Sequence, residues 1–435
     1  MHMSATVGLV IFIAAIVLAI IIGTKLKMNI GIVAMLFAYL IGVTFSGMSG
    51  KAVAALFPTN IFVTQLVATF FYGFASINGA FNGLADRIIY RTKKVKWALP
   101  FVIAFCVILL SMLGAGAEAT PVIMSPIAFM LAAEAGFNPI LASLAVWVGS
   151  VCTIGAKWTP GGAVAYSIWS PHIGEEMTDK ASVYIMVLLI AIGFIAMVII
   201  NFIHKKNLKE IYMEKPIPLS DIQQKSLIIV VVALLVMLVP SVINSFYRNP
   251  VTTWMTKRLT IQVVCLAGSV AFTVMGLADP KEVFIKKVPW NAIITISGMG
   301  MLVALAGQMG IVDQIGAWIG ESIPAQFMPV MLLLVAGLLS YVVAASSVIY
   351  PLFAPMVPAL AAASGLSPIL IVVTIMLGAN ISSFSPVSTG GAMAMLGANE
   401  EQRDVVVTGQ FKYAMIFLIV FVVLFGVLGL LGVFS

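Results

Sequence analysis

One stretch of this chain occurs twice, and each copy breaks a hydrophobic run in its middle with glycine, serine, threonine and proline. The first copy, Ala132 to Tyr166, reads AAEAGFNPILASLAVWVGSVCTIGAKWTPGGAVAY, and the second, Ala361 to Met395, reads AAASGLSPILIVVTIMLGANISSFSPVSTGGAMAM. They align without a gap at an offset of 229, pairing Gly136, Pro139, Gly149, Gly161, Gly162 and Ala163 with Gly365, Pro368, Gly378, Gly390, Gly391 and Ala392. Apolar composition raises chance identity, but it does not place Gly-x-x-Pro-Ile-Leu, a lone Gly and Gly-Gly-Ala at matched distances. A neighbouring register, 231, pairs Pro58, Asn60, Thr64 and Gly79 with Pro289, Asn291, Thr295 and Gly310. The chain therefore reads as a duplication with two interrupted runs. Irregular backbone at membrane depth is tolerated only where it is buried in protein or lines a cavity, so the interruptions mark a candidate binding site.

Membrane depth follows from composition: 62% of the residues are hydrophobic, 9% are charged, and the mean hydropathy is +1.14. A soluble domain does not carry that balance. The runs at Val7 to Gly23, Ile30 to Thr44, Val183 to Ile203, Ser226 to Val242 and Phe411 to Phe434 meet or approach the roughly 20 apolar residues of a spanning helix. The first is read as a span, not a removable signal. The net charge of +7 sits in loops between the runs, which fits the positive-inside rule and not a nucleic-acid partner. Cys106, Cys152 and Cys265 lie within apolar runs without metal-type spacing, and a phosphate loop is absent. No cofactor is expected. The spans contain no Ser/His pair and no HExxH, which argues against an intramembrane enzyme.

Spans are expected over 6–23, 28–47, 59–78, 138–170 (broken) and 182–203, and again over 226–246, 259–277, 290–309, 367–400 (broken) and 409–433. Residues 1–203 and 226–435 are then the two repeats, and the polar segment 204–225 is a cytoplasmic linker. If 97–135 and 325–364 are re-entrant hairpins, each half crosses five times and the copies are inverted. On that count sixteen basic residues face one side, among them Lys25, Arg87, Arg91, Lys205, Lys206, Lys281 and Arg403, against five on the other, Lys51, Lys180, Arg248, Lys257 and Arg258. The richer side is the cytoplasm, which puts both termini outside, together with Asp313 and Glu321. The expected fold is an all-α membrane protein of two inverted repeats, each with five transmembrane helices, one hairpin and one broken helix. In a bacterial cytoplasmic membrane this is a secondary transporter's architecture, with the lipid bilayer and a small substrate as partners.

Candidate site residues fall on the hairpin tips and the breaks. The first tip offers Gly116, Ala117, Glu118 and Thr120; the second offers Ala345, Ser346 and Ser347. Small residues there leave backbone groups free for an ion or a carboxylate. Glu118 is an acid at membrane depth, where ionisation is costly, so it is a candidate proton carrier, cation ligand or partner of a base. The base in reach is Lys157, which could neutralise Glu118, contact a substrate carboxylate or replace a coupling cation. The first break adds Thr153, Thr159, Gly161 and Gly162. The second is dense in oxygen ligands: Asn380, Ser382, Ser383, Ser385, Ser388 and Thr389, followed by Gly390 and Gly391. Hydroxyl and carbonyl oxygens suit a hard cation, and a sodium ion is expected near Ser346, Ser347, Asn380 and Ser383.

The residues also carry a resemblance. FPTNIFVTQLVATFFYGFASINGAFNGLADRII is similar to the N-terminal region of MatC-type dicarboxylate carriers. VPWNAIITISGMGMLVALAGQMGIVDQIG resembles a Trp-containing helix and arm of the divalent-anion/sodium symporters, and SPVSTGGAMAM resembles their second broken helix. The resemblance implies a homodimer that moves a dicarboxylate such as malonate or succinate by an elevator mechanism, coupled to sodium or protons. In those symporters each hairpin tip carries Ser-Asn-Thr. Here Gly116, Ala117 and Glu118 stand at that place in the first half, and Ala345, Ser346 and Ser347 in the second, which brings proton coupling into the reading. The alternative is the large membrane subunit of a binding-protein-dependent, TRAP-type transporter.

Overall fold

The computed structural model of the protein describes residues 5–92, 96–204, 214–247, 249–311, 314, 322–341 and 343–434. Among these residues the chain is helical throughout, with no strand. The first half runs α1 (Ala5–Lys25), α2 (Ile30–Thr44), α3 (Gly50–Ala54), α4 (Thr59–Ile77), α5 (Ala80–Thr92), α6 (Leu99–Leu110), α7 (Gly116–Ala135), α8 (Pro139–Val151), α9 (Pro160–Ile173) and α10 (Glu175–Ile203). The second runs α11 (Asp221–Phe246), α12 (Pro250–Arg258), α13 (Ile261–Val274), α14 (Pro280–Lys286), α15 (Trp290–Gln308) and α16 (Met328–Ser340). It continues through α17, a helical stretch over Ala345–Ser364 with a π-type first turn, then α18 (Pro368–Ser382), α19 (Thr389–Ala394) and α20 (Glu400–Leu430).

The repeat is visible in the element ends. Gly136 and Gly365 both adopt positive φ, +77° and +73°, and close the preceding helix with an N–H bond to Ala132 O and Ala361 O. An L-residue is strained there, which explains a glycine in both copies. Two residues later Asn138 and Ser367 cap α8 and α18 with side-chain bonds to Ile140 N and Ile369 N, and a proline stands at the first helical position of each. Gly149 and Gly378 mark where α8 and α18 cross the first hairpin arms. A Cβ on Gly149 would run into Val107 and Ala104 O, and one on Gly378 into Leu333 O, and Ala104 and Leu333 are themselves paired by the same offset.

The halves interlock by exchange. α2 packs on α15, with Gly31 and Gly298 in backbone contact, while α4 packs on α13, with Gly268 beneath Phe71. Polar pairs follow the same pattern: Asn29 Nδ2 donates to Asn291 Oδ1 at 2.7 Å, and Gln262 Nε2 donates to Thr64 Oγ1 at 2.7 Å. Small residues let these helix backbones approach closely, as membrane helices do when they pack without a hydrophobic driving force.

Several sequence boundaries need correction. α10 begins at Glu175, not 182, and α20 at Glu400, not 409, because Glu175, Glu176, Glu400 and Glu401 favour a helix N-terminus although they are not apolar. The segment before α13 is itself a helix, α12, meeting α13 at 70°. Among the described residues, six helical stretches are long and apolar enough to cross a membrane, and up to eight if each bent pair counts as one, against ten expected spans. α2, with 15 residues, falls short of that length, and Ala345–Ser364 reaches it. Asp313, Glu321, Lys205, Lys206 and Arg248 lie outside the described residues.

Candidate substrate and ion site

The first hairpin reverses at its tip. Ser111 Oγ donates to Thr120 Oγ1 at 3.0 Å, although an uninterrupted α-helix would separate residues nine apart by about 13 Å. Gly114, at φ +101°, makes the turn under the ring of Tyr72, where a Cβ would overlap the aromatic carbons. Tyr72 Oη donates to Trp158 O at 2.9 Å, and Trp158 Nε1 donates to Met112 O at 3.2 Å, so the tip is stitched to the first helix break. Gly116 lies against Pro160, and Ala117 faces Gly161. The structure thus brings the predicted Gly116, Ala117 and Thr120 together with Thr159, Gly161 and Gly162. The side chain of Glu118 lies outside the described residues. Tyr72→Phe should lower stability by about 1 kcal/mol, the worth of one neutral hydrogen bond, seen as a lower melting temperature in detergent with the fold retained.

α8 and α9 meet at 42°, and their junction is closed by its own hydroxyls. Thr153 Oγ1 donates to Ser150 O at 2.8 Å, while Thr159 Oγ1 donates to Ala156 O at 2.9 Å and accepts from Gly162 N at 3.1 Å. Lys157 Nζ lies 2.6 Å from Asp179 Oδ1 on α10 and 5.1 Å from the ring centre of Tyr166. The sequence reading missed Asp179 as a partner because it placed the start of α10 beyond it.

The second break holds the same positions differently. Ser382 and Ser388 stand at the offset of Thr153 and Thr159, are fully buried, and have hydroxyls with no hydrogen-bond partner among the described residues. Ser340 on α16, paired by offset with Ser111, is buried and unpartnered too. Ser383 is taken: its Oγ donates to Asn380 O at 2.7 Å and accepts from Trp147 Nε1 at 3.0 Å. Asn380 Nδ2 donates to Tyr350 Oη at 2.6 Å and to Met376 O at 2.7 Å. Ser385 Oγ accepts from Val387 N at 3.4 Å. Ser347 is buried at the start of α17, Ala345 and Ser346 are half-buried beside it, Gly390 is half-buried and Thr389 is exposed. Gln410, which the sequence reading passed over inside a long apolar run, donates through Nε2 to Ser143 Oγ and Gly391 O, both at 2.8 Å, and keeps a buried Oε1 without a partner.

In both breaks the second glycine of Gly-Gly-Ala is imposed by a carbonyl. A Cβ on Gly162 would collide with Ala156 O and one on Gly391 with Ser385 O, another pair at the same offset. Each break also leans on the opposite half: α9 packs against α17, and α19 packs against α7 and α8. The first break thus borders α17 of the second half, and the second break borders α7 and α8 of the first. Two surface cavities lie elsewhere, one of about 430 Å³ beside His204, Asp404, Lys412 and Tyr413, the other of about 900 Å³ between the α4–α5 turn and the linker.

A sharply turned first hairpin and a broken helix pair in an all-helical apolar body fit a membrane transport protein, and the family matches give transport as the class, not enzyme. Residues 6–153 match the family model of the dicarboxylate carrier protein MatC N-terminus, and residues 251–435 match that of the citrate transporter family. No match was found among curated proteins by sequence. The fold is similar to that of the YdaH transporter of Alcanivorax borkumensis, with a TM-score of 0.58 and 15% identity over 90% of this chain and 88% of that one. It is also similar to MtrF of Neisseria gonorrhoeae, described within a class of antimetabolite efflux pumps, with a TM-score of 0.55 and 14% identity over 96% and 94%.

Proposed function

We propose that the protein is a cation-coupled secondary transporter of a small organic anion, a dicarboxylate such as malonate or succinate. Its two halves are inverted, and hairpins and broken helices move together against α2, α4, α13 and α15 in an elevator-type cycle, within a homodimer in the bacterial cytoplasmic membrane. The family matches support the organic-anion class. The observation that carries the cation is the asymmetry between matched hydroxyls: Thr153 and Thr159 are used up by local backbone, whereas Ser382 and Ser388 are buried and free. A buried hydroxyl left without a partner loses its hydration, and a sodium ion restores an oxygen contact there. This adds Ser382 and Ser388 to the ion site in place of Ser383, whose Oγ already serves Trp147 and Asn380 O, while the bonds of Asn380 use only its Nδ2 and leave its Oδ1 as a candidate ligand, with Ser346 and Ser347 on the second hairpin.

Uptake of labelled malonate, succinate and citrate into proteoliposomes, with sodium and proton gradients imposed separately, tests the reading. The expected result is uptake driven by an inward sodium gradient. Uptake that follows only the proton gradient and disappears in Glu118→Gln moves the coupling to the first hairpin. No uptake of any of the three under either gradient overturns the substrate class.

A further inference from the structure

The Lys157–Asp179 pair does not behave like a structural ion pair. Lys157 lies in the loop that breaks the first long helix, three residues before α9, and its ammonium reaches across to the first turns of α10. Both side chains are partly accessible at the protein surface, at 39% and 47%, with the ammonium also beside the Tyr166 ring. Exposed pairs contribute little to stability, typically 0–1 kcal/mol, and exchange partners readily. The loop is fixed on its other side: Trp158 is held by Met112 O and Tyr72, and Thr159 caps α9 by taking the Gly162 N–H and, through its carbonyl, the Ala163 N–H. That leaves the Gly161 N–H of the same turn with no acceptor among the described residues. The loop thus carries one free amide, at Gly161, and one ammonium, at Lys157, two donors of the kind that bind a carboxylate. A carboxylate already occupies the ammonium: that of Asp179.

We propose that Asp179 is a built-in stand-in for the substrate. Its carboxylate holds Lys157 in the unloaded protein, and one substrate carboxylate takes its place by carboxylate-for-carboxylate exchange, with Lys157 turning toward Gly161 and Asp179 turning to water. Lys157 is then the residue that selects a carboxylate at the first half, and Asp179 sets how tightly, because substrate must compete with it. Lys157 faces a carboxylate at either stage. The second half has Pro386 at the matched position, so this exchange belongs to one half alone. The inference rests on the organic-anion reading and names the group that meets the anion.

The two single variants separate exchange from a structural pair, because they should move in opposite directions. In proteoliposome uptake of succinate, Asp179→Asn should lower KM about two- to fivefold, within what losing a competitor worth up to roughly 1 kcal/mol allows. Lys157→Gln should raise KM by about ten- to a hundredfold, the range for losing a charged hydrogen bond, and the double variant should match Lys157→Gln. Melting temperatures of all three should stay close to the parent. If Asp179→Asn and Lys157→Gln raise KM or lower the melting temperature in parallel, the pair is structural and the exchange is wrong. If the parent takes up no carboxylate at all, the organic-anion reading falls and takes the exchange with it.

Discussion

Ser382→Ala and Ser388→Ala should each make the protein more resistant to heat while reducing cation-driven uptake at least tenfold. Each replacement removes a buried hydroxyl with no partner, relieving a desolvation penalty of about 1–3 kcal/mol, so the melting temperature should hold or rise. Each also removes an oxygen from the proposed cation site, where a contact to a charge is worth about 1.5–3 kcal/mol, or ten- to a hundredfold in the cation concentration needed for half-maximal uptake. The matched variants in the first half should do the reverse. Thr159→Ala strips the cap from α9 and should cost about 0.5–2 kcal/mol of stability, with uptake per folded molecule little changed. Thermal unfolding and sodium titration of uptake, run side by side on the four variants, check this. A loss of stability in Ser382→Ala and Ser388→Ala without any change in sodium dependence would return those serines to helix packing.

Gly391→Ala and Gly162→Ala should be among the more damaging single methyl additions in the protein. Each new Cβ would fall on a backbone carbonyl, Ser385 O or Ala156 O, which a rotamer change does not relieve. The helix start must shift, and overpacking of this kind costs about 1–3 kcal/mol or more. Because Gly391 also offers its carbonyl to Gln410, the shift should break that bond and leave Gln410 Nε2 with Ser143 Oγ alone. The measurable outcome is loss of a monodisperse peak in detergent, or a markedly lower melting temperature. Gly307→Ala is the control: it sits inside α15 with nothing near its added carbon, so it should be neutral or slightly stabilising. Equal behaviour of Gly307→Ala and Gly391→Ala would remove the steric account of the motif.

The duplication was legible in the sequence because glycine and proline mark backbone needs that composition does not hide. Gly136 and Gly365 mark positive φ, Pro139 and Pro368 mark helix starts, and Gly162 and Gly391 mark carbonyls folded onto a helix end. The first hairpin was legible for the same reason, through Gly114 and Gly116. What the sequence did not disclose depends on distance across the fold. Nothing in the local spacing ties Lys157 to Asp179 over 22 residues, Trp147 to Ser383 over 236, or Gln410 to Ser143 over 267. Nor does composition separate used hydroxyls from free ones. Thr153 and Ser382 look alike in sequence, and only their surroundings set them apart.

The cross-wise packing of α2 on α15 and α4 on α13 bears on how the protein is made. A ribosome delivers residues 1–203 first, yet the ridges at Gly31 and Phe71 receive their partners only when Gly298 and Gly268 have been synthesised. During that interval the early helices must sit in lipid with small-residue faces uncovered, open to wrong neighbours. Severing the gene at the linker should therefore yield two fragments that accumulate only when co-expressed, each acting as the other's assembly template.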